Sequence, residues 1–289
     1  MIPPFLFANL YWITFMGVIN SSYLLIKDKD FNVKISYFKR PGKRGAIIFV
    51  HGLGCSKEDF LGATKAKELK DYGILAFDWP GAGKSLYPKN KTLNINYLVK
   101  IVSDIAAKFS PKKIILVGHS LGGVVGLLYS FKYPKKLAGF VNVEGSLVHK
   151  NARWSREIKK IGFSVFRKKS FQDMKADLRK SKNLGFKRYS RALDLVSAKS
   201  YFDFSVSHAN ICKNDYLLKK FLKLKLPKVF IYGVENKTWP PVINKLKKNR
   251  CLVKAIPHAH HFSFIDNPDV FYKTLAKFAD DAFIGNLDR

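Results

Sequence analysis

The chain has 289 residues, 47% hydrophobic and 14% aromatic: enough for one large α/β domain with an insertion or for two small domains, and too apolar for a disordered protein. Its 52 Lys and Arg against 21 Asp and Glu give a formal net charge of +31, which favours anionic partners such as lipid headgroups or acidic small molecules. No nucleic-acid-binding module accompanies that charge, so nucleic acid is not an expected partner, and the scattered Cys55, Cys212 and Cys251 form no zinc or redox spacing.

Residues 2–26 carry no charged side chain. The apolar run within them, Phe5 to Ile19, is shorter than the roughly 20 residues of a membrane span, and neither a basic flank nor an A-x-A site marks a signal peptide. Residues 1–20 are therefore read as a signal or anchor, an interfacial helix, or a segment packed on the body. Localisation follows that choice: cytoplasmic, membrane-associated, or exported if the segment acts as a signal.

Tyr23–Ile26 and Asn32–Tyr37, separated by a polar turn, read as a β-hairpin. Ala46–Val50 is a fully apolar strand ending in His51-Gly52-Leu53-Gly54, and Lys57–Leu69 is expected to be a helix. Ile74–Phe77 is a strand that ends in Asp78-Trp79-Pro80-Gly81-Ala82-Gly83-Lys84-Ser85, followed by a helix over Asn96–Phe109. Lys113–Val117 reads as a buried strand, Gly118-His119-Ser120-Leu121-Gly122 as a sharp turn, and Gly123–Lys132 as the helix after it. Leu137–Val143 is another strand, ending in Glu144.

From 147 to 226 the strand rhythm stops and amphipathic helices are expected, among them Arg156–Arg167 and Tyr216–Leu224. This stretch holds 21 Lys and Arg against 6 Asp and Glu, about half of the excess charge. The βα rhythm resumes with strand Lys228–Tyr232, a helix over Pro241–Lys248, strand Leu252–Ile256 and a helix over Pro268–Phe283. Repeated βα units predict a mostly parallel sheet covered on both faces, with ligands at the carboxyl ends of its strands, where His51, Asp78, Ser120 and Glu144 all lie. The domains are accordingly 21–146 with 227–289 as the core, and 147–226 as a basic helical cap inserted after the sixth strand.

The G-x-S-x-G turn between strand and helix is the nucleophile-elbow pattern, which lifts a serine hydroxyl above a sheet. His51-Gly52 after the third strand, Asp78-x-x-Gly81-x-Gly83-x-Ser85 after the fourth, the elbow after the fifth, and His261 with Pro268 seven residues on occur in order. On these motifs residues 23–285 resemble the α/β-hydrolase-fold serine hydrolases with a helical cap.

A serine hydroxyl needs a base within hydrogen-bond reach, and His258, His260 and His261 compete for that role. The resemblance selects His261, by its distance from the proline that starts the last helix, with His260 second. The usual family position for the acid, after the seventh strand, holds Asn236. Glu235 beside it is one candidate for the triad acid. Glu144, at the end of the sixth strand, is the other and the preferred one, because it comes straight off a strand. The resemblance also implies an oxyanion hole from the main-chain N–H groups of Leu53 and Leu121.

Serine rather than aspartate at the elbow argues against epoxide hydrolase and dehalogenase chemistry. It points to acyl transfer from an ester, thioester or amide to water, with C–C bond hydrolysis or a catalytically weak, membrane-peripheral binding protein as alternatives. Gly81–Ser85 lacks phosphate-loop spacing, and no metal, nucleotide or flavin motif appears, so no cofactor is expected. The expected partner is a small ester or acyl substrate, with an anionic membrane surface as a second. The cap aromatics Phe163, Phe166, Phe171, Phe202 and Phe204 are expected to line an apolar pocket.

Overall fold

The computed structural model describes residues 21–29, 31–109 and 112–286. The apolar segment 1–20, and with it the choice between a signal or anchor, an interfacial helix and a packed segment, lies outside the described residues. Eight strands form one sheet: β1 (Ser22–Lys27), β2 (Asn32–Arg40), β3 (Ala46–Val50), β4 (Gly73–Phe77), β5 (Ile114–His119), β6 (Leu137–Val143), β7 (Lys228–Gly233) and β8 (Leu252–Ile256). Their order is β1-β2-β4-β3-β5-β6-β7-β8. β1 and β2 pair antiparallel, β2 runs antiparallel to β4, and every pairing from β4 to β8 is parallel.

The central strands β3 to β7 are buried on both faces, so their apolar runs are nearly unbroken, whereas β1 and β8 at the sheet edges are more exposed. Alternate residues feed two cores. Ile48, Val50 and Leu116 join Ile101, Ile105, Val124 and Val125 from helices α1 (Ile95–Phe109) and α2 (Leu121–Lys132) on one side. Ile47, Phe49, Ile115 and Val117 meet Phe271, Leu275 and Ala279 of the last helix on the other.

One expected element differs. Residues Lys57–Thr64 and Lys67–Leu69 form two short 3-10 turns rather than an α-helix. Gly62 within the first turn disfavours an α-helix, and the guanidinium of Arg40 takes the carbonyls of Thr64, Leu69 and Tyr72, which a continuous helix would not present together.

Between β6 and β7 the chain leaves the sheet for five helices: α3 (Arg153–Val165), α4 (Phe171–Arg179), α5 (Leu184–Ala192), α6 (Ala198–Ile211) and α7 (Tyr216–Lys223). Gly162, at φ 75°, breaks α3 near its end, and one π turn, Phe166–Ser170, leads into α4. Ile158, Phe166, Phe171, Leu193 and Tyr201 bury one another in a small core of their own. That corrects the expectation for the cap aromatics: Phe166, Phe171 and Phe204 are consumed in packing. None of the five expected aromatics lines the cavity of about 520 Å³ in this region, whose walls include Trp154, Met174, Leu178 and Phe186. The rest of the chain supplies α8 (Pro240–Lys248), a short α9 (Ser263–Asp266) and α10 (Pro268–Ile284). Among the described residues no helix is long and apolar enough to cross a membrane.

Candidate active site

β5 runs into Ser120, whose φ of 52° and ψ of −117° no regular element uses. Such a backbone conformation costs about 1–3 kcal/mol and persists only where its surroundings enforce it. Here they do: a Cβ on Gly122 would lie 2.1 Å from the Val50 carbonyl oxygen, and one on Gly118 would lie 2.3 Å from the Gly122 oxygen. Strand and helix therefore close on one another and push Ser120 outward, while its N–H donates to the Val143 carbonyl at 2.9 Å. The loop after β3 rides directly over this turn. The Cβ position of Gly52 is 3.1 Å from Ser120 Cβ, and Leu53 follows in a turn closed by Cys55 N–H on the Gly52 carbonyl at 3.3 Å. Leu121 opens α2, where main-chain N–H groups have no acceptor within the helix.

Glu144 leaves β6 with a positive φ of 50°, anchored by its N–H on the Ile231 carbonyl at 3.0 Å. Its side chain is fully buried, and its oxygens take three donors. Gly233 N–H donates to Oε1 at 2.8 Å, and Asn236 Nδ2 to Oε2 at 2.6 Å. His261 Nδ1 donates to the same Oε2 at 2.6 Å. A buried carboxylate so satisfied does not carry the penalty of an unpaired charge.

Glu235 is elsewhere. Its N–H bonds the Ala259 carbonyl, and its carboxylate, 41% exposed, lies 3.8 Å from Lys237 Nζ. The other two histidines also separate from the site. His258 is exposed in a turn, and His260 faces the cap, its N–H on Asp266 Oδ2 at 2.9 Å and its Nδ1 3.3 Å from Asn183 Nδ2. Asp266 Oδ1 also accepts Asn183 Nδ2 and Gly185 N–H, so one carboxylate ties the histidine loop to the cap.

Two further polar residues at strand ends have structural work. His51 Nε2 accepts Trp79 N–H at 3.0 Å and its Nδ1 donates to the Gly52 carbonyl at 2.8 Å; burial lowers its pKa to about 4. Asp78 pairs with Lys57 Nζ at 2.7 Å and accepts the N–H groups of Lys57 and Lys84, with both charged side chains buried. They join the loops after β3 and β4.

Sequence reasoning passed over His119, between the elbow glycine and Ser120. Its Nε2 donates to the His261 carbonyl at 2.9 Å, its ring centroid is 4.6 Å from that of His261, and burial holds it well below the ordinary histidine range. The elbow thus carries a main-chain anchor for the histidine loop. Nothing in the five-residue motif signals that contact, which spans 142 positions.

A family model described as alpha/beta hydrolase fold matches residues 45–268. The chain belongs to the α/β-hydrolase family. Among relatives of this α/β-hydrolase, the pimeloyl-[acyl-carrier protein] methyl ester esterase of Wigglesworthia glossinidia brevipalpis is 28% identical over 249 residues, covering 80% of this chain and 92% of that one. A Mycoplasma pneumoniae protein named as an esterase/lipase is 32% identical over 106 residues, 37% of this chain and 40% of its own length. With that relative, and with the protein phosphatase methylesterase 1 of Candida albicans (37% identical over 107 residues, 29% of its length), the match spans less than half of the other protein. A solved carboxylesterase of the Thaumarchaeon Nitrososphaera gargenis superposes with a TM-score of 0.75 at 14% identity, covering 91% of this chain and all of that one. At that identity the likeness is one of fold.

Proposed function

We propose that this α/β-hydrolase is a serine hydrolase of carboxylic esters in which Ser120 is the nucleophile, His261 the base and Glu144 the acid. The observation that carries the reading is the 2.6 Å bond between His261 Nδ1 and the buried Glu144 carboxylate, beside a serine held at a strained elbow. His261 Nε2 takes the Ser120 proton as Oγ attacks the ester carbonyl. The main-chain N–H groups of Leu53 and Leu121 hold the oxyanion of the tetrahedral intermediate. The imidazolium, stabilised by Glu144, returns the proton to the leaving alcohol, and a water activated by the same ring hydrolyses the acyl-enzyme. Esterase names among the relatives support the ester class over C–C bond cleavage.

The cap cavity, walled by Trp154, Met174, Leu178 and Phe186 but also by Ser170, Asp173, Asp177 and Ser181, is the space we propose for the acyl part. Tyr201 stands between the cap cavity and the loop after β3: its hydroxyl is 3.7 Å from Met174 Sδ and 3.3 Å from Trp154 Nε1, and its ring edge closes on Gly54. A fluorophosphonate probe is expected to label the wild-type protein at Ser120 and to leave Ser120→Ala unlabelled. A folded wild type that stays unlabelled defeats the hydrolase reading.

A further inference from the structure

Asn236 stands on the turn after β7, its N–H on the Gly233 carbonyl at 3.1 Å. Its side chain is aimed by its neighbour: Oδ1 accepts the Thr238 hydroxyl at 2.8 Å and the Thr238 N–H at 3.3 Å. With two donors on Oδ1, the amide can point only its Nδ2 at Glu144, and it does so at 2.6 Å. The receiving atom is Oε2, the oxygen that also accepts His261 Nδ1. The other oxygen, Oε1, is pinned by Gly233 N–H, two donors from one turn thus gripping both ends of the carboxylate.

We infer that Asn236, braced by Thr238, is a positioning residue that fixes the Glu144 carboxylate in the one orientation that meets His261. This rests on the Ser120–His261–Glu144 reading above. The chemistry needs an amide at this place. A neutral donor satisfies the second lone pair of Oε2 without adding charge, whereas a carboxylate in the same space would put two like charges within hydrogen-bond distance. Without a donor here, a carboxylate carried on a rotatable two-carbon stem is held by Gly233 N–H and by the imidazole it is meant to orient. The ionisable groups around this cluster are His261 itself, His119 tilted against it, His51 beyond His119, and the exposed Glu235 and Lys237 on the Asn236 turn.

The test is the pH profile of kcat and kcat/KM on p-nitrophenyl acetate for wild type, Asn236→Ala, Asn236→Asp, Thr238→Val and Glu144→Gln. Asn236→Ala should lower kcat roughly 10- to 100-fold, the range for one hydrogen bond to a charged group, with KM within about twofold. Thr238→Val, which removes one of the two braces, should fall between this variant and wild type. Asn236→Asp is nearly isosteric, so it changes the charge at this place with little change in packing. Its added carboxylate should move the acid limb of kcat/KM to higher pH by about one unit. An Asn236→Ala enzyme within twofold of wild-type kcat, or an Asn236→Asp enzyme whose acid limb stays in place, overturns the inference. Failure of the underlying reading is seen separately, as a Glu144→Gln enzyme that keeps wild-type kcat.

Discussion

At the scale of single residues the site turns on which carboxylate meets His261. The two candidates lie 91 positions apart in the chain, yet β6 and β7 are neighbours, so both emerge at the same end of the sheet. Glu144 comes off β6 pointing inward and is fully buried; Glu235 sits one residue before Asn236 on a turn whose alternation sends it to solvent. Glu144→Gln should therefore lower kcat by roughly three to four orders of magnitude, as loss of the orienting carboxylate does in serine hydrolases. Glu235→Gln should change kcat by less than about twofold, since an exposed ion pair is worth little. Steady-state kinetics on a p-nitrophenyl ester decides the matter, and comparable losses in the two variants would remove the assignment of Glu144. The proposed nucleophile could be named from its motif, because a turn this tight demands small residues at fixed spacing, and the proposed base, His261, from the family resemblance. The acid could only be narrowed to two, because a carboxylate's partner is set by strand order and side-chain direction.

At the scale of elements, the loops after β3 and β4 are joined through the buried Lys57–Asp78 pair. That joint fixes the loop carrying Leu53 over Ser120. Replacing one member of a buried pair leaves the other charge uncompensated, at about 3–5 kcal/mol. Asp78→Ala should lose that much stability in urea unfolding, while the double variant Lys57→Met, Asp78→Leu should recover most of it. A single variant that unfolds at the wild-type midpoint would show the pair to be energetically idle. The 3-10 turns that replace the expected helix after Ser56 belong to the same arrangement. Lys57 must start its turn at the ion pair while Arg40, from β2, collects three carbonyls further on. Apolar spacing alone could not foretell this, since the deciding partner, Arg40, comes from a strand 17 positions earlier.

At the scale of the whole molecule, burial of neutral histidines sets the response to acid. Burial lowers the pKa of His51 and of His208 to about 4 each, His51 despite the nearby Asp78 and His208 with help from Arg156. For both, the unfolded chain takes up a proton near the ordinary value of about 6.5 while the folded chain resists it, so stability present above 6.5 drains away as pH falls towards 4. Each contributes about 3 kcal/mol over that window. Asp59 acts in the opposite sense: burial raises its pKa to about 6, so the fold gains some stability as this carboxyl protonates below that pH. The two histidines outweigh it. Urea midpoints should fall steeply from pH 7 to 5, and His208→Asn, which keeps a partner for Ser155, should flatten the slope. A midpoint unchanged between pH 7 and 5 would contradict this account.

The sequence by itself determined the strands, the elbow, the parallel βα order and the insertion between β6 and β7, because each depends on local periodicity or on small residues at tight turns. It also narrowed the proposed nucleophile to Ser120 and the proposed base to one of three histidines. Only the tertiary structure decided that Phe166, Phe171 and Phe204 of the cap are packed into cores instead of lining a pocket, that Asp78 serves Lys57, and that Asn236 and His261 share one oxygen of Glu144. Those outcomes depend on which surfaces meet across 20 to 120 positions of chain, where burial forces each polar group to find a partner that no neighbouring residue supplies.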